Sequence, residues 1–267
     1  MTFSVNFFQR YGKAAIACCA ILLAMPAATS AQGVQPKPAS SSLVQGPDLD
    51  LSISHYSRVL TAEGVLRESR YEERMLRRPG HVWISRILPK SAPDHDEDHG
   101  HENMKPQARK PVTEPSAQAA HSHKHFNHVV LPRHVTREGE KMGLEFVNFN
   151  DREVVSIAPT EYENVNFDGS WANAFFLMDP QSVTALPLSN RASSVPGARW
   201  REHRKNGLYQ RVLWDEKKLI PLVVETGDQA GNFFERVEVK PQTTVTKELP
   251  WQKLKNFAQK EYADFLD

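Results

Sequence analysis

The sequence predicts an α+β domain built mostly of antiparallel strands, and three observations predict it. On both sides of a breaker-rich stretch, apolar residues recur with a period of two rather than 3.6, the mark of half-buried strands. The segments are short and divided by turn residues such as Ala62-Glu63-Gly64, Arg78-Pro79-Gly80 and Asn150-Asp151. Only the end of the chain has a clear helical spacing: after Pro250, the residues Trp251, Leu254, Phe257, Ala258, Tyr262 and Phe265 recur at steps of three and four.

Residues 1–31 predict a secretory leader. Arg10 and Lys13 supply its positive end, residues 14–24 its apolar core, and Thr29-Ser30-Ala31 a small-residue cleavage site. The apolar core is shorter than the roughly 20 residues that span a bilayer as a helix. Cleavage removes Cys18 and Cys19, the only two cysteines, so the exported chain is expected to lack disulfides and thiolate ligands. It also removes two positive charges, taking the formal net charge from +1 to −1. No charge excess then points to nucleic acid or an anionic membrane surface. The expected location is the periplasm, reached by Sec export, with no membrane span after cleavage.

The next stretch, 32–50, holds Pro36, Pro38, Pro47 and three consecutive serines, and predicts a flexible lead-in to a single domain over 51–267. Residues 56–61 form a short strand candidate. Residues 65–76 alternate unevenly and are rich in Arg and Glu; an exposed strand and a charged helix over 64–78 both fit. Residues 81–88 predict a strand. Residues 89–127 then carry five prolines and almost no large apolar residue, which predicts an insertion unable to bury enough surface to fold.

Past the insertion, 129–131, 144–149 and 153–157 continue the short-strand rhythm. Residues 171–178 are an apolar run ending at Asp179-Pro180, compatible with a helix or a strand. The cluster Trp200-Arg201 with His203-Arg204-Lys205 reads as a solvated basic loop. Residues 208–214, 219–225 and 233–240 predict a three-stranded meander whose last strand alternates Val237 and Val239 with Arg236, Glu238 and Lys240. The terminal helix, 250–266, needs an apolar surface to cover, and the hollow of a curved sheet is the expected one.

Two stretches resemble a known family. The pattern Tyr209, Arg211, Trp214-Asp215, Pro221-Leu222, Glu225 and Asp228 looks like the paired strands of the LolA-like superfamily, which includes outer-membrane lipoprotein-sorting carriers and the lipoprotein-binding domain of the sigma-E regulatory sensor. Tyr56-Ser57-Arg58 through Gly64-Val65 to Arg77-Arg78-Pro79 resembles the first hairpin of the sensor branch. The resemblance implies a strongly curved, open half-barrel with helices on its concave face. It also implies a non-enzymatic protein of outer-membrane biogenesis that holds a lipid, an acyl chain or a lipoprotein, with an envelope protein as a further partner. Trp83, Phe146, Trp214, Trp251 and Phe257 would then line the groove; ordinary core packing is the other reading of the same residues. Two departures stand out. Sensor-type members carry a second domain, for which no stretch is expected here, and the carriers open with a helix where this chain is Ser/Pro-rich.

The alternative function is divalent-metal binding or sensing. His95, His99 and His101 lie among Asp94, Asp96, Glu97, Asp98 and Glu102, and His121, His123, His125 and His128 follow. Imidazole and carboxylate are ligands for Zn²⁺, Cu²⁺ and Ni²⁺, and residues two apart on an extended chain point the same way. No cofactor is otherwise required. The sequence contains no Gly-x-Ser-x-Gly, no His-Glu-x-x-His and no glycine-rich phosphate loop, so the expectation is a protein that is not an enzyme.

Overall fold

The computed structural model describes residues 46–89 and 126–265. The leader and six of the seven clustered histidines lie outside the described residues. The strands are β1 (Leu49–Leu60), β2 (Leu66–Arg78), β3 (His81–Ile87), β4 (Arg133–Glu138), β5 (Lys141–Asn148), β6 (Glu153–Ser156), β7 (Ala198–Lys205), β8 (Leu208–Asp215), β9 (Ile220–Asp228), β10 (Phe233–Pro241) and β11 (Ala258–Glu261). They form one open sheet in the order β11-β6-β5-β4-β3-β2-β1-β10-β9-β8-β7. Each neighbouring pair is antiparallel except β11, which adds parallel to β6.

The connectivity dictates what covers this sheet. The chain leaves β6 near one end of the strand order and re-enters as β7 at the other end. At about 4.8 Å per strand, residues 157–197 must cross roughly 43 Å of sheet. They do so through a 3₁₀ turn (Pro159–Val165) and two short helices, α1 (Trp171–Phe176) and α2 (Pro180–Thr184). Ser170 caps α1 by accepting from the Asn173 amide, and Asp179 caps α2 by accepting from Gln181 and Ser182, with Pro180 at the first helical position. Asp179-Pro180 therefore starts a second helix as well as closing the apolar run.

Strand alternation sorts the core onto two faces. On one, Leu51, Ile53, Met75, Val82, Ile84, Val135, Leu144, Phe146 and Val155 pack with Tyr162, Phe167, Phe175, Phe176 and Val183 of the crossing segment. Their sequence neighbours Trp83, Val147 and Val154 face the opposite way and pack with Trp251, Leu254 and Phe257. Arg77 pins the first face. Its buried guanidinium donates to the carbonyls of Pro47 (3.0 Å), Lys218 (2.7 Å) and Phe175 (3.4 Å), and lies 4.9 Å from the Phe175 ring.

Several expectations are corrected. Of the two readings left open for 64–78, the strand is the one found, over Leu66–Arg78, which pairs with β1 from Leu66 to Arg77. Residues 129–131 form a turn, since the Asn127 side chain accepts from the Val129 amide and its carbonyl from Val130 and Leu131; the strand begins at Arg133. The basic stretch around Trp200 is β7, paired with β8 throughout. The terminal helix does not form. Pro250–Asn256 is a 3₁₀ turn, which suits Trp251, Leu254 and Phe257 because an exact three-residue step eclipses them on one side. The polar run Ala258–Glu261 then becomes the exposed edge strand β11, and Tyr262 and Phe265 return to the first face against Phe126. The terminal segment thus wraps the sheet edge, with its aromatic trio on the face away from the crossing segment.

Candidate functional site

The face beneath the crossing segment changes chemistry along its strands. In β1, the buried Leu51 and Ile53 are followed on the same face by His55; in β2, reading backwards, Met75 is followed by Glu73 and Tyr71; in β3, Ile84 is followed by Arg86. In β4, Arg133 joins them opposite Ile84 and Phe146. An apolar floor therefore ends in a half-buried group of ionisable side chains. Period-two alternation places each of them, because residues two apart share a face whatever their chemistry.

The group is tightly interconnected. His55 Nε2 lies 3.0 Å from Glu73 Oε2. Tyr71 stacks on His55 at 4.2 Å and 10°, and the Arg86 guanidinium sits 4.3 Å from the Tyr71 ring. Burial, followed by the neighbouring Glu73 charge, pushes the Tyr71 hydroxyl up to about 12. Burial acts to raise Glu73 as well, but the His55 hydrogen bond and the charges of His55, Arg133 and Arg86 outweigh it and leave Glu73 below the usual glutamate range. Glu235, across β10, is raised by burial. Burial lowers Arg133, whose Nε is shielded from solvent and has no hydrogen-bond acceptor among the described residues. Arg86 likewise has no carboxylate within ion-pair distance there; its close partner is the Tyr71 ring. Two guanidinia thus lie on a half-buried surface near Glu73, with Asp168 also acting on Arg133, and neither guanidinium is closed into a direct ion pair among the described residues. A buried donor without an acceptor is destabilising, which makes the pair a natural receptor for an oxyanion.

The five aromatics proposed from sequence divide between the faces. Phe146 and Trp214 are 2% and 1% exposed and fill the main core. Trp83, Trp251 and Phe257 meet on the opposite face, where Trp83 is 3% exposed. An open cleft of about 550 Å³ also lies on that opposite face, between Tyr56, Arg70 and Arg236 on one side and Ile87, Leu88 and Pro89 on the other.

Of the clustered histidines, His128 alone is described. It packs against Phe126 and Phe146, its Nε2 lies 3.3 Å from the Asn166 amide nitrogen, and burial lowers its pKa. His95, His99, His101, His121, His123 and His125 lie outside the described residues. Among the described residues, no three His, Cys, Asp or Glu side chains converge as a metal ion requires. Sequence reading missed His55, Tyr71, Glu73, Arg86 and Arg133. The available signal was ionisable residues at core-facing parity next to Ile53, Met75 and Ile84, which becomes visible only once the register is known.

No known protein family profile matches the chain, and no curated protein sequence matches it. Solved structures show weak similarity to the chain. An uncharacterized conserved protein from Thermus thermophilus is 10% identical, with 80% of this chain and 90% of that one covered at a TM-score of 0.33. The Pseudomonas aeruginosa MucA/MucB complex is 11% identical, with 74% of this chain and 53% of that chain covered at a TM-score of 0.33. A Vibrio parahaemolyticus domain described as an outer membrane lipoprotein-sorting protein is 10% identical, with 74% and 87% covered at a TM-score of 0.26.

Proposed function

We propose that this protein is a non-enzymatic periplasmic binding protein for an amphiphile: a lipid, an acyl chain or the acyl group of a lipoprotein. The apolar part enters between the sheet face and the crossing segment that packs on it, displacing part of that segment, and an anionic headgroup meets Arg86 and Arg133. One observation carries the reading: a single sheet face passes from Leu51, Ile53, Met75 and Ile84 to His55, Glu73 and Arg86 two residues further along each strand, with Tyr71 beyond Glu73 and Arg133 opposite Ile84. That gradient matches a molecule with an apolar tail and a charged end. Burial of tail surface contributes roughly 0.8 kcal/mol per CH₂, enough for affinity without polar contacts. A strongly curved half-barrel suits the role, and Arg77 supports the curvature. This β2 residue reaches the turn between β8 and β9, across three intervening strand spacings that would hold them about 14 Å apart in a flat sheet. The leader over residues 1–31 supports the periplasmic location.

The test is displacement of a fluorescent fatty acid from the mature protein by palmitate, a lysophospholipid, neutral monopalmitoylglycerol and inorganic phosphate. The anionic amphiphiles should displace the probe about tenfold better than the neutral one, in line with one charge-assisted hydrogen bond. Arg86→Gln should remove that preference while leaving the neutral lipid unaffected. Failure of every amphiphile to displace the probe, or failure of the probe to bind, would overturn the reading.

A further inference from the structure

On the face away from the crossing segment, the terminal segment is held by an unusual contact. His81 in β3 and His134 in β4 lie side by side, Nδ1 to Nε2 at 3.1 Å. His134 Nδ1 lies 3.3 Å from Glu145 Oε2 in β5. The Trp251 indole stacks nearly parallel on both imidazoles, at 5.0 Å and 10° from His81 and 5.4 Å and 11° from His134. Trp251 opens the 3₁₀ turn that leads into β11, so this stack holds the segment that also occupies the edge of β6.

We propose that His81 and His134 form a proton-sensitive clasp, and that a second proton on the pair releases residues 250–261 from the sheet, baring the β6 edge and the Trp83–Val147–Val154 stripe. The proton count follows from donor geometry. With both rings neutral, His81 Nδ1–H donates to His134 Nε2, and His134 Nδ1–H donates to Glu145. One added proton is accommodated by the pair: it lands on the outer nitrogen of His81 while the Nδ1 proton passes across to His134 Nε2, so the pair carries one charge beside Glu145 and its stacking on Trp251 gains a cation–π contribution. A second proton makes donor face donor and sets two positive rings at hydrogen-bond distance. That repulsion exceeds the gain from one more cation over the indole.

The surroundings favour release over repair. Burial first, then the neighbouring His134, lowers His81, while Glu138 and Glu145 act to raise it without reversing the direction. The folded state therefore prefers neutral His81, so the clasp is complete above its ordinary value of 6.5 and weakens as pH falls below it. The remaining charged neighbour on this face, Arg78 opposite His81, is engaged elsewhere, donating to Asp50 at 2.7 Å and to the Thr246 carbonyl at 2.8 Å. That pair fixes the chain at Thr246. Burial acts to raise Asp50, but hydrogen bonds from Thr246 and Arg78 prevail and keep it ionised through mild acid. The opening is thus bounded: it hinges between Thr246 and Pro250 and leaves the rest of the sheet intact. β11 offers little resistance, since its four residues are all exposed and bring no large apolar side chain.

The experiment is amide hydrogen exchange on the mature protein at pH 7.5 and pH 5.0, each corrected for the intrinsic rate. Exchange over residues 250–261 and in β6 should rise at least tenfold at the lower pH, while β1 and β2 stay unchanged. His81→Asn, which cannot take the proton, should give exchange over the segment that no longer differs between the two values, whatever its level, and His134→Gln should do the same. A tenfold rise that persists in a folded variant overturns the proposal. So does the absence of a rise in the wild-type protein, or a rise spread equally over β1 and β2; these wild-type readings decide the matter even where a variant does not fold.

Discussion

Arg77 is a buried cation whose nearest acidic neighbour, Asp48, forms no direct ion pair with it, and burial lowers its pKa to about 10. It is kept because it serves three separate pieces of chain: the lead-in at Pro47, the crossing segment at Phe175 and the β8–β9 turn at Lys218. Arg77→Met would leave at least two buried or part-buried carbonyls unpaired at ~1–3 kcal/mol each, so a loss of about 2–6 kcal/mol is expected. It should appear as a lower urea midpoint with an unchanged slope. Arg77→Lys keeps the charge but not the fork of donors and should recover only part of the loss. Sequence reading named Arg77 only in the hairpin resemblance, just ahead of the Arg78-Pro79-Gly80 turn, and gave it no such role. Its meaning lies in carbonyls contributed by residues 30 to 142 positions away, which no local pattern reports. Arg86 lay in an expected strand, so its parity was legible but its register was not; Arg133 lay outside every expected strand.

At the level of elements, the meander β8–β10 was legible because Val237 and Val239 alternate with charged residues, whereas the charged β2 was left open between strand and helix. The terminal segment was misread for a specific reason: residues 251, 254 and 257 fit a helix of 3.6 residues per turn and a 3₁₀ turn equally well, and only the polar run after them separates the two. β7 was missed because Arg201, His203, Arg204 and Lys205 are mostly exposed, so a strand beside the sheet edge resembles a loop in composition. Close packing between strands makes its own prediction at Gly227 in β9. A Cβ there would sit 2.7 Å from the Tyr209 hydroxyl and 2.9 Å from the Phe233 carbonyl. The carbonyl belongs to backbone and cannot swing aside, so Gly227→Ala is expected to cost roughly 1–3 kcal/mol as overpacking. Thermal unfolding would reveal it as a fall in Tm, and no change would mean that β9 and β10 separate more readily than their pairing implies.

For the molecule as a whole, the insertion and the sheet can be tested apart. β3 and β4 are neighbouring antiparallel strands, so a short loop can join them once residues 90–125 are removed. The shortened protein should keep its far-ultraviolet circular dichroism and its binding of the fatty-acid probe. Titration of both forms with Zn²⁺, Cu²⁺ and Ni²⁺ then assigns any metal binding: it should vanish with the deletion if the clustered histidines are its ligands. Lost probe binding in a folded deletion variant would move the amphiphile site to the insertion.

β1 lies in the middle of the sheet, and its two neighbours come from opposite ends of the chain: β2 directly follows it, while β10 places Pro241 opposite Leu51. One side of the central strand's ladder therefore waits on residues 233–241, far along the chain. β1 must stay half paired until residues 233–241 have been synthesised, so closure of the native sheet is expected to be slow and to follow late in synthesis.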